Sequence, residues 1–380
     1  MGTDHIQIRT VGADILRGVA ILMVIIFHAF GQTYGYSLPW AGWLRDFQSP
    51  QTTTLVWFYP VTFGWAGVSL FFVLSGFCIH YSYLRSQQFD ISNFFWRRFW
   101  RIYPAYFAAL LFFVALAYAA MPSVPFTSQF VWHALFIHNA TPTTFFGINA
   151  SFWSIATEMQ LYLLYPALLL LRRHFGIEGA LVITLLVGLL WRSIAVGVWG
   201  LPDEVINPAF TAPFMTWFDW TLGAFVADRF VRGERAFRHP RRPLFFLVPI
   251  FVGSTLFKPM IIFGFSLAAG TAAVILDAAL WVRWRRSLMI IVLTFIGTIS
   301  YSLYLWHQPI MTKVPHSIAR ILGLPGAWCA FFVALLVGSY FSYRFFEHGG
   351  IRLGTFLWAI LSKRRFKQCV VIPEPGDAKP

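Results

Sequence analysis

Arg17 and His28 are the residues of the first apolar stretch whose types and spacing could do chemistry. They lie eleven positions apart in DILRGVAILMVIIFHAF. At ~100° per residue this spacing places both on one helix face, ~16 Å apart along the axis. Asp14 can pair with the Arg17 guanidinium from three residues away. We expect this stripe to contact both ends of a long substrate; a structural histidine and a surface arginine anchor are the alternatives.

Glu158 supplies a carboxylate about two turns into the apolar segment SFWSIATEMQLYLLYP. A carboxylate at that depth needs a partner, and the first span offers histidine and arginine. As the partner of His28, Glu158 would hold the imidazole in the tautomer that accepts a proton. A structural pair with an arginine is the alternative.

Arg97, Arg98 and Arg101 form a basic cluster in SNFFWRRFWRIYPAY. Arg98 and Arg101 are i, i+3 neighbours on one helix face, and guanidinium forks match phosphate oxygens. The cluster therefore predicts a phosphate site at the start of an apolar helix, although anchoring at the membrane surface would also explain it.

The composition places these residues in a membrane. Of the 380 residues, 58% are apolar and 12% charged, and the mean hydropathy is +0.65. Soluble globular domains carry roughly 25% charged residues, and disordered chains are poor in aromatics, so both classes are excluded. We expect an all-α, polytopic bundle of about ten transmembrane helices, with spans at 13–31, 62–84, 102–121, 152–171, 179–199, 211–228, 244–257, 260–281, 288–311 and 326–346.

The net charge of +14 mainly reports orientation. Lys and Arg cluster in alternate loops, and the positive-inside rule then places both termini in the cytoplasm. Since no basic patch is continuous, nucleic-acid binding is not expected. Cys78 and Cys329 fall within spans and Cys369 in the tail, so neither a disulfide framework nor a metal site is expected. We expect one membrane domain over 1–350 and a basic tail over 351–380 that ends in disorder.

Three polar residues near span ends are expected to have structural roles. His307 in SYSLYLWHQPI lies near the outer end of its span, where Trp306 and Tyr304 suit an interfacial belt. Glu347 and Arg344 lie at the cytoplasmic end of the last span, and we expect them to pair or to cap a helix.

Five ordered motifs together resemble the acyltransferase 3 family of integral membrane acyltransferases. They cover roughly residues 10–350 and are D-x-x-R-G with R-x10-H (Asp14, Arg17, His28), GVSLFFVLSGFCI at 67–79, R-x-x-R followed by IYPAY (Arg98, Arg101), FWSIATEMQLYLLYP around Glu158, and ISYSLYLWHQPI around His307.

The resemblance implies an acyl-CoA donor, commonly acetyl-CoA, that enters from the cytoplasm as a substrate rather than a resident cofactor. It implies an acceptor hydroxyl on a surface polysaccharide, O-antigen or related glycan, and a location in the bacterial cytoplasmic (inner) membrane. Arg17 and His28 would be central, and Arg98 and Arg101, with Arg97, would bind the donor. No SGNH hydrolase-like domain is expected after residue 350.

Two positions depart from the family pattern. Met159 follows Glu158 where many relatives carry a second acidic residue, so only Glu158 is assigned. Glu347 is followed by His348 and Gly349 rather than by an apolar residue or proline, which leaves Glu347 unassigned.

On this interpretation His28 is the general base for the acceptor hydroxyl and Glu158 orients it. An acyl-histidine intermediate is also open. A transporter or flippase that uses Arg17, His28 and Glu158 as an ion pathway is the alternative function, and a passive assembly subunit is a third. A transporter would often show internal repeats, and we find none.

Overall fold

The computed structural model describes residues 2–34, 56–86, 89–120, 127–199, 208–256, 260–311 and 314–369. These residues are almost entirely helical, and the described part of the chain contains no strand. The helices are α1 (Gly2–Tyr34), α2 (Ala66–Ser86), α3 (Ile91–Ala120), α4 (Thr127–Ala134), α5 (Pro142–Phe145), α6 (Phe152–Trp199), α7 (Pro213–Val231), α8 (Arg241–Leu256), α9 (Ile261–Leu280), α10 (Leu288–Thr298), α11 (Ser300–Met311), α12 (Val314–Ser342) and α13 (His348–Cys369).

The predicted all-α membrane bundle is confirmed, while its count of ten spans stays a prediction. All ten predicted segments fall largely on helices. Six helical segments of the described chain are long and apolar enough to cross a bilayer by themselves, and seven are if α10 and α11 form one broken span. Three cases make the difference: α8 has only 16 residues, α6 merges two spans, and the 19-residue α7 carries three charged residues, Asp219, Asp228 and Arg229.

Helix α6 covers two predicted spans, 152–171 and 179–199. Its 48 residues would extend roughly 70 Å if straight, about twice the hydrocarbon thickness of a bilayer. The helix breaks at Gly176, whose φ of 73° is accessible to glycine at little cost. The break therefore falls between the two predicted spans.

The predicted span 288–311 is divided into two helices. Helices α10 and α11 meet at Ile299 with a bend of 75°. Helix α10 packs against α1 so closely that a Cβ added at Gly297 would collide with the Asp14 carbonyl, and one at Gly18 with the Leu293 carbonyl. Small residues allow such backbone contact between membrane helices. The bend carries the side chains of α11 into the interior.

The amino-terminal part of the predicted tail packs on the bundle. The Trp96 indole on α3 donates a hydrogen bond to the Gly354 carbonyl on α13 at 2.8 Å. The Trp96 ring also lies 5.8 Å from that of Trp358. Helix α13 ends at Cys369, and the disorder predicted beyond it falls outside the described residues.

Candidate active site

A cavity of about 420 Å³ lies among α1, α2, α3, α6, α10, α11 and the π-helical turn Tyr343–Glu347. It brings together four of the six predicted site residues, Arg17, Arg98, Arg101 and Glu158. The other two, His28 and Arg97, lie outside its lining. The polar side chains of the wall are Asp14, Arg17, Ser75, Cys78, Arg98, Arg101, Ser154, Glu158, Tyr162, Thr298, Ser300, Tyr301, Tyr304, Tyr343 and Glu347.

Arg17 is fixed at the cavity by two neighbours. One guanidinium nitrogen donates to the Asp14 carboxylate at 2.5 Å, which is the predicted i, i+3 pair. The other nitrogen donates to the Cys78 sulfur at 2.8 Å, from α2. About a quarter of the side chain stays exposed. Arg17 is thus a positioned cation facing the cavity and not a free surface anchor.

Arg98 and Arg101 line the cavity from the same face of α3, as their spacing predicts. The Arg98 guanidinium lies 5.8 Å from the centroid of the Phe94 ring and 5.9 Å from that of Tyr162. These ring faces support the cation by cation–π attraction. Arg97 is one residue away and therefore rotated by ~100°; it is exposed and lines a different, smaller cavity.

Glu158 points into the cavity, but its partners differ from the prediction. Its Oε1 accepts hydrogen bonds from the Ser75 hydroxyl and the Tyr162 hydroxyl, both at 2.6 Å. Within the described residues no hydrogen bond joins Glu158 to His28. The expected orienting contact is therefore wrong for this conformation, because Glu158 lies level with α2 residues of the cavity whereas His28 lies about three turns beyond Arg17 along α1.

His28 instead faces a second histidine. The His28 Nδ1 lies 3.3 Å from the Nε2 of His307, and the two ring centroids are 5.0 Å apart. His28 is partly exposed, and His307 is fully buried. The expectation that Tyr304 belongs to an interfacial belt is wrong, because the bend at Ile299 turns α11 inward and buries Tyr304 together with His307.

Backbone acceptors assign the tautomers of this imidazole pair. His28 Nδ1 lies 2.9 Å from the Val24 carbonyl, and His307 Nδ1 lies 2.7 Å from the Tyr304 carbonyl. Because a carbonyl only accepts, each Nδ1 carries its proton. His307 Nε2 then accepts from His28, and His28 Nε2 carries the lone pair that a general base requires.

Tyr304 connects the imidazole pair with the cavity. Its ring lies 5.3 Å from that of His307, and its hydroxyl oxygen accepts a hydrogen bond from Ser154 at 2.6 Å. Tyr304 and Ser154 both line the cavity. The accepted bond leaves the Tyr304 hydroxyl proton available for donation toward the cavity.

Glu347 is the cavity residue that sequence reasoning left unassigned. It is 4% exposed, accepts a hydrogen bond from Ser302 at 3.3 Å and lines the cavity, whereas Arg344 is exposed. It lies in a π-helical turn, a distortion that is frequent at functional sites. The extra residue in that turn changes the face on which Glu347 lies, which spacing from the last span does not reveal. The predicted pairing with Arg344 is not found among the described contacts.

The cavity balances three arginines against three carboxylates, namely Arg17, Arg98 and Arg101 against Asp14, Glu158 and Glu347. Each of the three carboxylates accepts a hydrogen bond from a neighbour. Arg17 donates to Asp14, Ser75 and Tyr162 donate to Glu158, and Ser302 donates to Glu347. The Arg98 guanidinium lies over the rings of Phe94 and Tyr162, and its Nε has no hydrogen-bond partner within the described part of the chain. The arrangement suits an anionic ligand on the α3 side.

Comparison with known proteins gives one family and several distant relatives. A family model described as an acyltransferase domain matches residues 10–344. The peptidoglycan O-acetyltransferase OatA of Listeria monocytogenes is 26% identical over 332 residues, which cover 76% of this chain and 52% of OatA. Nodulation protein 10 of Rhizobium leguminosarum bv. viciae is 29% identical over 188 residues, covering 45% of this chain and 47% of that protein.

A third relative is the acyltransferase MdmB of Streptomyces mycarofaciens, 30% identical over 130 residues, 32% of this chain and 33% of MdmB. The matched regions thus cover about half or less of these relatives' lengths. No solved structure matches the chain.

Proposed function

The chain belongs to the acyltransferase 3 family, as its motifs predict, and we propose that it is a membrane O-acyltransferase. It moves an acyl group, acetyl in the first instance, from acyl-CoA on the cytoplasmic side to a hydroxyl of a surface polysaccharide, O-antigen or related glycan. Its place is the bacterial cytoplasmic membrane. The relatives support this proposal, because OatA is a peptidoglycan O-acetyltransferase.

The observation that carries the proposal is the arrangement along α1. Arg17 stands in a cavity with the α3 arginines, and His28 stands further along the same helix beside a buried imidazole. A CoA thioester has the matching form, since phosphates at one end are joined by a long arm to a reactive carbonyl. Arg98 and Arg101 would hold the phosphates, and the arm would follow α1 past Arg17.

The proposed acyl transfer begins with a proton transfer to His28. The acceptor hydroxyl loses its proton to His28 Nε2 as its oxygen attacks the thioester carbonyl carbon. The tetrahedral oxyanion needs a donor, and the Tyr304 hydroxyl, whose ring lies beside that of His307, is the candidate on the cavity wall. Collapse breaks the carbon–sulfur bond, and the CoA thiolate leaves with the proton that His28 held.

His307 would support this step without touching the substrate. When His28 Nε2 takes the proton, the ring becomes a cation whose Nδ1–H still has two acceptors, the Val24 carbonyl and His307 Nε2. Hydrogen bonds to the charged form stabilise it. This is the orienting role that the sequence suggested for Glu158. Glu158, held by Ser75 and Tyr162, would shape the cavity beside the donor phosphates.

Purified protein in lipid nanodiscs tests the proposal. Released CoA thiol and acylated acceptor are measured together for acetyl-CoA with a glycan acceptor. Arg101→Gln should lower kcat/KM for the donor about ten- to a hundredfold, the value of one charge-assisted contact of ~1.5–3 kcal/mol. Arg173→Gln is the matched control, because Arg173 is exposed on α6 and lines neither cavity.

Substrate flux without CoA release would contradict the enzyme and support the transporter alternative. The same assay with labelled donor alone separates the two chemical routes, since a trapped acyl-protein indicates an acyl-histidine intermediate. Mass spectrometry of surface glycans from a strain that lacks the protein would identify the acceptor by its lost acyl mass.

A further inference from the structure

A second, smaller cavity of about 100 Å³ lies beside the large one, where α2 ends and α3 begins. Arg98 and Ile79 line both cavities, so Arg98 stands between them. The small cavity is lined by Ile79, Ser82, Tyr83, Ser86, Phe89, Asp90, Asn93, Phe94, Arg97, Arg98 and Tyr165. Whole-ligand pockets measure roughly 300–1,000 Å³, so this space suits one part of a ligand whose remainder lies next door.

Aromatic rings form one side of the small cavity. The Phe89 ring centroid is 5.4 Å from that of Phe94 and 5.5 Å from that of Tyr165, and Phe94 is 5.1 Å from Tyr165. Tyr83 joins this cluster at 6.0 Å from Phe89. Phe89 is only partly buried, on the connection between two helices. Rings held in this way offer a stacking surface for a flat heterocycle.

Polar groups form the other side. The Ser82 and Ser86 hydroxyls, the Asn93 side chain and the exposed Arg97 line the space. Asn93 uses its backbone N–H to bond the Asp90 carboxylate at 3.1 Å, and its side-chain amide has no hydrogen bond to any residue that the structure describes. An amide offers both a donor and an acceptor, the combination that the edge of a nitrogen heterocycle requires.

We propose that the small cavity is the subsite for the purine base of a nucleotide-bearing acyl donor, a proposal that rests on the proposed function. The base stacks on Phe89 and its neighbours and is bonded at its edge by Asn93. Arg97 and Arg98 lie at either side of the phosphates, and the acyl arm enters the large cavity past Arg98. This gives Arg97, which the large cavity does not use, a place in donor binding.

Two donors that differ only in the nucleotide test this assignment. Acetyl-CoA carries the purine, and S-acetyl-4′-phosphopantetheine lacks it. Phe89→Ala should raise KM for acetyl-CoA about five- to a hundredfold, the range for losing one base–aromatic stack. KM for S-acetyl-4′-phosphopantetheine should stay within twofold. Asn93→Ala should act in the same direction with a smaller change, and adenosine 3′,5′-bisphosphate should inhibit wild type more strongly than Phe89→Ala.

The control is Phe245→Ala, because Phe245 is 74% exposed on α8 and lines neither cavity. Equal KM changes for both donors in Phe89→Ala would overturn the subsite, as would an unchanged KM for acetyl-CoA. A phospholipid retained by wild type and lost by Phe89→Ala in native mass spectrometry would also overturn it. If wild type used neither donor, the proposed function itself would fail, which separates the two outcomes.

Discussion

Two pairs of histidines in this protein differ in the geometry with which their imidazole rings meet. His28 and His307 meet through ring nitrogens 3.3 Å apart, with their rings tilted by 55°. His133 and His138 instead stack face to face, with centroids 3.9 Å apart and planes only 6° from parallel. His28 is partly exposed, whereas His133 and His138 are both fully buried.

The two pairs also differ in the surroundings of an added proton. A proton added to His28 Nε2 enters a ring whose opposite N–H already has acceptors, so the charge is supported. A proton added to the stacked pair enters a buried ring that faces another imidazole. Burial lowers the pKa of His133 to about 4, and burial together with His133 lowers the pKa of His138 to about 2. The second pair is therefore built to stay neutral, whereas the first pair differs from it in leaving the His28 ring partly exposed.

The largest effect is expected from a substitution of His28, the partly exposed member of the first pair. His28→Ala should lower kcat for O-acylation about a thousandfold, since a positioned general base contributes ~10²–10⁴. Membrane expression should be unchanged, because the ring is partly exposed and alanine preserves the helix. Acetyl transfer measured at saturating donor checks this, and full activity would end the assignment of His28 as the base.

A smaller effect is expected at the buried member of the same pair. His307→Phe keeps an aromatic ring but removes the acceptor for His28 Nδ1–H, so kcat should fall about tenfold to a hundredfold with KM for the donor within twofold. His307→Gln can place a side-chain oxygen near the former Nε2 and should recover much of the loss. Equal loss in both variants, or a loss confined to KM, would show that His307 acts only through packing.

The sequence predicts α1 well because α1 is one uninterrupted helix. Arg17 and Asp14 pair as their spacing requires, and Arg98 and Arg101 share a cavity wall for the same reason. Such i, i+3 arguments need only the geometry of a single helix.

Contacts between helices are much harder to derive from the sequence. His307 reaches His28 only because the chain bends by 75° at Ile299, inside a predominantly apolar stretch whose hydropathy suggests one straight span. Glu347 reaches the cavity through a π-helical turn. Glu158 finds Ser75 and Tyr162 rather than His28 because of the level at which α6 crosses α2. Each error concerns how far one helix is displaced or bent against another.

The smallest expected effect on catalysis is at the stacked pair, and it appears in stability instead. His138→Phe keeps a ring over His133 and should leave kcat at neutral pH within twofold, because His138 lies outside both cavities, between the helices that end at Ala120 and begin at Phe152. The unfolded chain protonates a histidine near pH 6.5, whereas these folded pKa values are about 4 and about 2. Above pH 6.5 neither the folded nor the unfolded state binds the proton, so the titration of this pair does not change the free energy of unfolding there.

As the pH falls from about 6.5 toward 4, these two histidines bind protons in the unfolded state but not in the folded state, so the folded state loses stability. The variant has one such group fewer and loses less. Its Tm in detergent, relative to wild type, should therefore rise by a few degrees between pH 7 and pH 4.5. The common loss from titrating carboxylates cancels in this difference. A Tm difference independent of pH would mean that His138 titrates alike in both states, and the contrast between the two histidine pairs would then rest on position alone.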